Sequence, residues 1–142
     1  MRISKLLSGA VTATAATIYL NSSALAIDLS GAWATDTAAC DKVFATKGKT
    51  ISFKPDSDMF GSGFVVDGQR IRGRAASCTI KTSKEDGKML HMLAGCASDI
   101  MLSTVQFSVR VEDDNKITRI FPGIDGMELT YYRCPARPAP AR

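Results

Sequence analysis

Residues 68 to 78 read GQRIRGRAASC and put Arg70, Arg72 and Arg74 at every second position of one short segment. On a β-strand that spacing places three guanidinium groups on one face, and guanidinium forks bind carboxylate or phosphate through paired hydrogen bonds. The candidate chemistry is anion binding, with Arg70, Arg72 and Arg74 as the ligand-binding residues. Parity sets the condition. Ala76, Cys78 and Ile80 share the even-numbered face, so an unbroken strand either turns the arginines inward with Cys78 or turns Cys78 and Ile80 outward with the arginines. A bulge or break between Gly73 and Ala76 instead flips the alternation and turns the arginines to water. The cost of burying unpaired arginines favours the break, and the sequence leaves both arrangements open.

Other chemistry has thinner support. The chain contains no G-x-S-x-G, P-loop, H-E-x-x-H or C-x-x-C, so no motif supports hydrolase, nucleotide, zinc-protease or thioredoxin-type activity, and the expectation is a non-enzymatic protein with no cofactor. The single histidine, His91 in KMLHML, reads as a half-buried strand residue rather than a general base or ligand. In DSDMFGSGFVVD, Asp56, Asp58, Gly61 and Asp67 match positions 1, 3, 6 and 12 of a calcium loop, but Phe60 supplies no oxygen at position 5 and the flanks read as strands. Turn chemistry accounts for these aspartates better, and no metal site is expected.

The four cysteines, Cys40, Cys78, Cys96 and Cys134, are too far apart in sequence for the close pairs of a zinc site. An even count in a small exported domain reads as disulfides. Cys78 and Cys96 are symmetric about Gly87, at the turn Glu85-Asp86-Gly87-Lys88 between two strand-like runs, and Cys40 and Cys134 share that centre. This nested pairing is preferred. The rival, Cys40 to Cys78 and Cys96 to Cys134, follows a faint duplication in which each half runs strand, acidic turn, strand, Asp-Gly turn and strand ending in cysteine.

The elements that position these residues are short. Residues 1 to 26 carry Arg2 and Lys5, a mildly apolar stretch and the pattern Ala24-Leu25-Ala26, a secretory signal peptide cut before Ile27. Beyond it the chain has sixteen Lys and Arg against fourteen Asp and Glu, a net charge of +2 that makes no case for nucleic acid. No membrane span is expected after cleavage, and the expected location is periplasmic or secreted. Residues 135 to 142, PARPAPAR, read as a disordered Pro/Ala tail, which leaves one small domain over residues 27 to 134. Residues 103 to 112 alternate cleanly, with Val105, Phe107, Val109 and Val111 on one face. Further strands are expected at 29 to 35, 49 to 54, 62 to 66, 69 to 75, 77 to 83, 88 to 96, 116 to 121 and 127 to 133, with one short helix at 37 to 46. Many short strands and few helices mean an all-β fold, a small antiparallel barrel or a sandwich.

DLSGAWATD, residues 28 to 36, resembles the Gly-x-Trp opening of lipocalin-type and avidin-type barrels, in which the tryptophan, here Trp33, closes the barrel floor from the first strand. Across the rest of the chain, the order of Trp33, Cys40, Cys78, Cys96 and Tyr132-Arg133-Cys134 is similar to small uncharacterised bacterial periplasmic proteins. The resemblance implies a secreted β-fold and no chemistry, and biotin binding does not carry over because Trp33 is the single tryptophan. The functional expectation is a binding protein. Its partner is a small amphipathic or anionic ligand near Arg70, Arg72 and Arg74, or an envelope protein docked in the manner of a lysozyme inhibitor or a structural component. Met89 and Leu93, facing out from a strand whose other face is core, and Tyr132, beside Tyr131, are the candidate interface residues, unless the 37 to 46 segment covers the first two.

Overall fold

The computed structural model describes residues 26–135, and the expected leader and Pro/Ala tail fall outside them but for Ala26 and Pro135. Ten strands follow in chain order: β1 (Gly31–Ala34), β2 (Phe44–Lys47), β3 (Thr50–Phe53), β4 (Gly63–Asp67), β5 (Arg70–Arg72), β6 (Ala76–Asp86), β7 (Met89–Ser98), β8 (Leu102–Asp113), β9 (Lys116–Ile120) and β10 (Glu128–Arg133). Eight of them close into an antiparallel barrel in the order β1-β10-β9-β8-β7-β6-β5-β4, and β2 with β3 forms a separate hairpin. From β4 onward each strand pairs with the next, and β1 seals the seam by pairing with β10 on one side and β4 on the other. The meander follows from tight turns: Gly68 and Gly87 both adopt φ of 58°, a conformation that costs glycine little. The small barrel is therefore the architecture, and the sandwich is not.

The expected helix at 37 to 46 is shorter. Asp36 caps a 3₁₀ turn through Ala38 N, one helical turn, α1 (Cys40–Val43), follows, and the chain then extends into β2. A helix this short has little stability of its own. Phe44 gains more by pairing with Phe53 across the hairpin, where the two rings lie 5.2 Å apart. This insertion between β1 and β4 packs Ala39, Cys40, Val43 and Phe44 on Ala32, Ala34 and Val65, a second apolar cluster on the outside of the barrel wall. The segment thus covers β1 and β4, not Met89 and Leu93, and Leu93 stays 43% exposed.

The main core fills the barrel. Trp33 is fully buried, and Phe64 meets Tyr131 edge-on at 4.9 Å. On β8 the expected face holds: Val109 is buried and Val105, Phe107 and Val111 pack against the same cluster. The disulfides join Cys40 to Cys134 and Cys78 to Cys96, the nested pairing. A bulge between Ile80 and Thr82 makes the second one meet. Asp86 pairs with Met89 across the Gly87-Lys88 turn, a register that, continued unbroken, would set Cys78 against Ala97; the bulge at Lys81 absorbs one residue and brings Cys78 opposite Cys96.

Candidate ligand-binding cavity

The meander gives the barrel two unlike ends. The N-terminal segment and the turns after β4, β6 and β8 share one end, while the insertion and the connections after β5, β7 and β9 share the other. At the first end the N-terminal strap crosses from β1 to Glu85 near the end of β6. Trp33 Nε1 donates to Leu29 O at 2.8 Å, and the Arg133 guanidinium sits 4.3 Å over the indole. Arg133 also donates to Ser30 O, to Asp28 O at 3.0 Å and to Asp114 O at 2.8 Å, tying the N-terminal strap and the β8–β9 turn to the last strand. Asp28 accepts from Ser30 N at 2.8 Å, and the hydrogen bonds from Ser30 hold its carboxyl below the usual carboxylate range.

Beside this strap lies a cavity of about 510 Å³. Its wall is mainly apolar, with Leu29, Phe64, Ile71, Met92, Val109 and Ile117 among the lining side chains. An eight-stranded barrel is just wide enough for its side chains to fill it or to hold one small ligand. The small inward residues Cys78, Ala94 and Cys96 favour the second outcome.

Three charged residues also line the cavity: Asp28 on the N-terminal strap, Glu85 and Arg119. Glu85 arrives through the bulge: inward positions are Cys78 and Ile80 before it and Ser83 and Glu85 after it. Glu85 Oε1 accepts from Ile27 N at 2.9 Å. Arg119, on β9, takes the inward position after Ile117 and lies between two rings, 4.6 Å from the centre of Phe107 and 4.5 Å from that of Phe121. Its Nε is buried without a hydrogen-bond partner, and no carboxylate pairs with Arg119 among the described residues. Stacked rings orient the guanidinium without satisfying its donors. An unpartnered buried donor is costly, so this is the position in the barrel where an anion gains most.

The arginines singled out from the sequence lie elsewhere. The chain turns between Arg72 and Ser77, with Gly73 N donating to Ala76 O at 2.8 Å, so Ile71 and Cys78 pair as inward residues and the arginines face out. Arg72 donates to Ile51 O at 2.9 Å; Arg74 donates to Lys54 O and Ser57 Oγ and pairs with Asp58 at 3.3 Å. Arg70 is exposed opposite Asp67 in the ladder. None of the three lines the cavity. The break between Gly73 and Ala76 turns the arginines outward, but Arg72 and Arg74 meet the insertion rather than water alone and hold it against the barrel wall.

The remaining candidates sit on the outside. His91 is half-buried on β7, with Nδ1 3.0 Å from Ser108 Oγ. Met89 and Tyr132 are also half-buried. In the aspartate-rich segment, Asp56 is in the left-handed region, Asp58 pairs with Arg74 and Asp67 ends β4. Arg110 bridges Glu112 at 2.8 Å and Glu128 at 3.0 Å, and with Thr118 it holds the Glu112 carboxyl below its usual range. Among the described residues, no three His, Cys, Asp or Glu side chains converge as a metal site, and no helix is long and apolar enough to cross a membrane.

Sequence reasoning missed Arg119, although a signal was present. Ile117, Arg119 and Phe121 alternate, so one cation shares a face with two apolar residues. Comparison with protein-family models, with curated proteins and with solved structures finds no match to this chain.

Proposed function

We propose that this protein is a non-enzymatic binding protein for a small amphipathic molecule, acting in the periplasm or outside the cell. The apolar body of the ligand fills the barrel and its anionic head pairs with Arg119. The observation that carries this reading is the guanidinium with a buried, unpartnered Nε in the wall of a mainly apolar cavity. At the roughly 30 Å³ that a water molecule occupies, a 510 Å³ cavity holds on the order of fifteen heavy atoms, the size of a medium-chain carboxylate. The two disulfides suit an oxidising compartment. The packing of Arg133 over the buried Trp33 supports the lipocalin-like resemblance of the Gly-x-Trp segment. Titration with dodecanoate, followed by methyl NMR, tests the reading. Saturable shifts at Met92, Leu90 and Ile117 are expected, and their absence counts against a cavity ligand.

A second reading has its own observation. Ile100, Met101 and Leu102, at the β7–β8 connection, are 93%, 60% and 83% exposed, and Ile124 and Met127 are exposed in the β9–β10 loop at the same end. Exposed apolar groups of this kind suit a protein partner. Under this reading a substitution such as Ile100→Ser abolishes capture of an envelope protein while leaving dodecanoate binding intact; loss of both together would argue against separate surfaces.

A further inference from the structure

The Ile27 backbone nitrogen, 2.9 Å from Glu85 Oε1, joins residues 58 apart in sequence. Ile27 directly follows Ala24-Leu25-Ala26, the small-residue pattern at which signal peptidases cut. Ala26 is exposed, whereas the Ile27 side chain packs on the core and Leu29 is buried, so the strap is fixed just past an accessible peptide bond. Glu85, for its part, is a carboxylate turned toward the cavity with no cationic partner among the described residues.

From this placement we propose that hydrolysis of the Ala26–Ile27 bond completes the barrel floor, because the new α-ammonium of Ile27 forms an ion pair with Glu85. Water adds to the Ala26 carbonyl and the C–N bond breaks. Ala26 leaves as a carboxylate, and the Ile27 nitrogen takes up protons to become an ammonium. A neutral amide donating one hydrogen bond to Glu85 is thereby replaced, at the same position, by a charged group with three donors. Of the other charged groups near the strap, Asp28 accepts from Ser30 and Arg133 on β10 donates to Asp28 O and Ser30 O; Arg119, whose Nε has no partner, reaches the same cavity from β9. The pairing favours the protonated amine, so its contribution to stability is complete below the ordinary α-amino range of about 7.7 to 8.0 and is lost as pH rises through the higher folded-state value.

The test is independent of any ligand. Intact-mass analysis of the exported protein should give a chain beginning at Ile27; a different N-terminus overturns the proposal. The chain with a free Ile27 amine is then compared with its N-acetylated form, in wild type and in Glu85→Gln, by denaturant midpoint. At about pH 6, acetylation should lower the midpoint in wild type and leave Glu85→Gln unchanged, and at about pH 10 the free and acetylated wild-type chains should coincide. An equal loss in Glu85→Gln, or no loss in either protein, overturns it. Dodecanoate binding is measured separately, so either idea can fail without the other.

Discussion

At the scale of single residues, position on a strand decides what an arginine does. Arg72 and Arg119 both sit in short strands beside isoleucines, yet Arg72 bonds an outer carbonyl while Arg119 stacks between two rings inside the barrel. Parity across Gly73 to Ala76 could not be read from one chain, because a turn and a continuous strand place the same residues on opposite faces. Inward positions of β8 were legible, since Val105, Phe107, Val109 and Val111 alternate with polar neighbours, whereas adjacent Tyr131 and Tyr132 left the inward face of β10 open. Arg72→Ala should leave affinity for an anionic amphiphile unchanged within about twofold, because its guanidinium is tied to Ile51 O outside the cavity; a large loss by calorimetric titration would place the anion site on the outer wall. Asp28 gives a pH prediction. Its carboxyl is held low, so its contribution is present above the ordinary value near 3.9 and is lost as pH falls through the lower folded value. Asp28→Asn should therefore flatten the acid limb of stability against pH, and an unchanged limb would show that Asp28 does not hold the strap.

At the scale of elements, the insertion between β1 and β4 is the part that sequence described least well. Its helix was expected to continue through Phe44, but a cross-strand partner at Phe53, supplied from further along the chain, draws that residue into β2. The bulge in β6 was equally hidden: hairpin symmetry located the cysteine pair, while the extra residue at Lys81 depends on the two-residue turn that the chain selects at Gly87-Lys88. Close packing of the insertion makes Gly63 a sensitive position. A Cβ there would lie 2.8 Å from Trp33 O and 2.8 Å from Phe44 Cζ, and the first of these, a backbone atom, cannot swing aside. Gly63→Ala should cost about 1 to 3 kcal/mol by overpacking, read from the urea midpoint. A neutral result would mean that the insertion stands off the barrel.

For the whole molecule, two closures work together. Hydrogen-bonded strands close the barrel wall, and the Cys40–Cys134 bridge ties the start of the insertion to the end of β10 across 94 residues of chain. The Cys78–Cys96 bridge spans only 18. If loop entropy governs, replacing both members of the longer bridge by serine should cost about 2 to 5 kcal/mol, more than the same change in the shorter one, and the reverse order would assign the stabilisation to local packing. With the strands closed around it the cavity is preformed, and in the proposed function Arg119 is the charge that sets its preference. The measurement that bears most directly on this account compares dodecanoate with dodecanol, each titrated into the wild-type protein and into Arg119→Met. The account predicts that wild type prefers the carboxylate by about ten- to a hundredfold, the worth of a hydrogen bond to a charged group, and that Arg119→Met binds the two alike. Equal binding of both heads by wild type, or a carboxylate preference that survives in Arg119→Met, would contradict it.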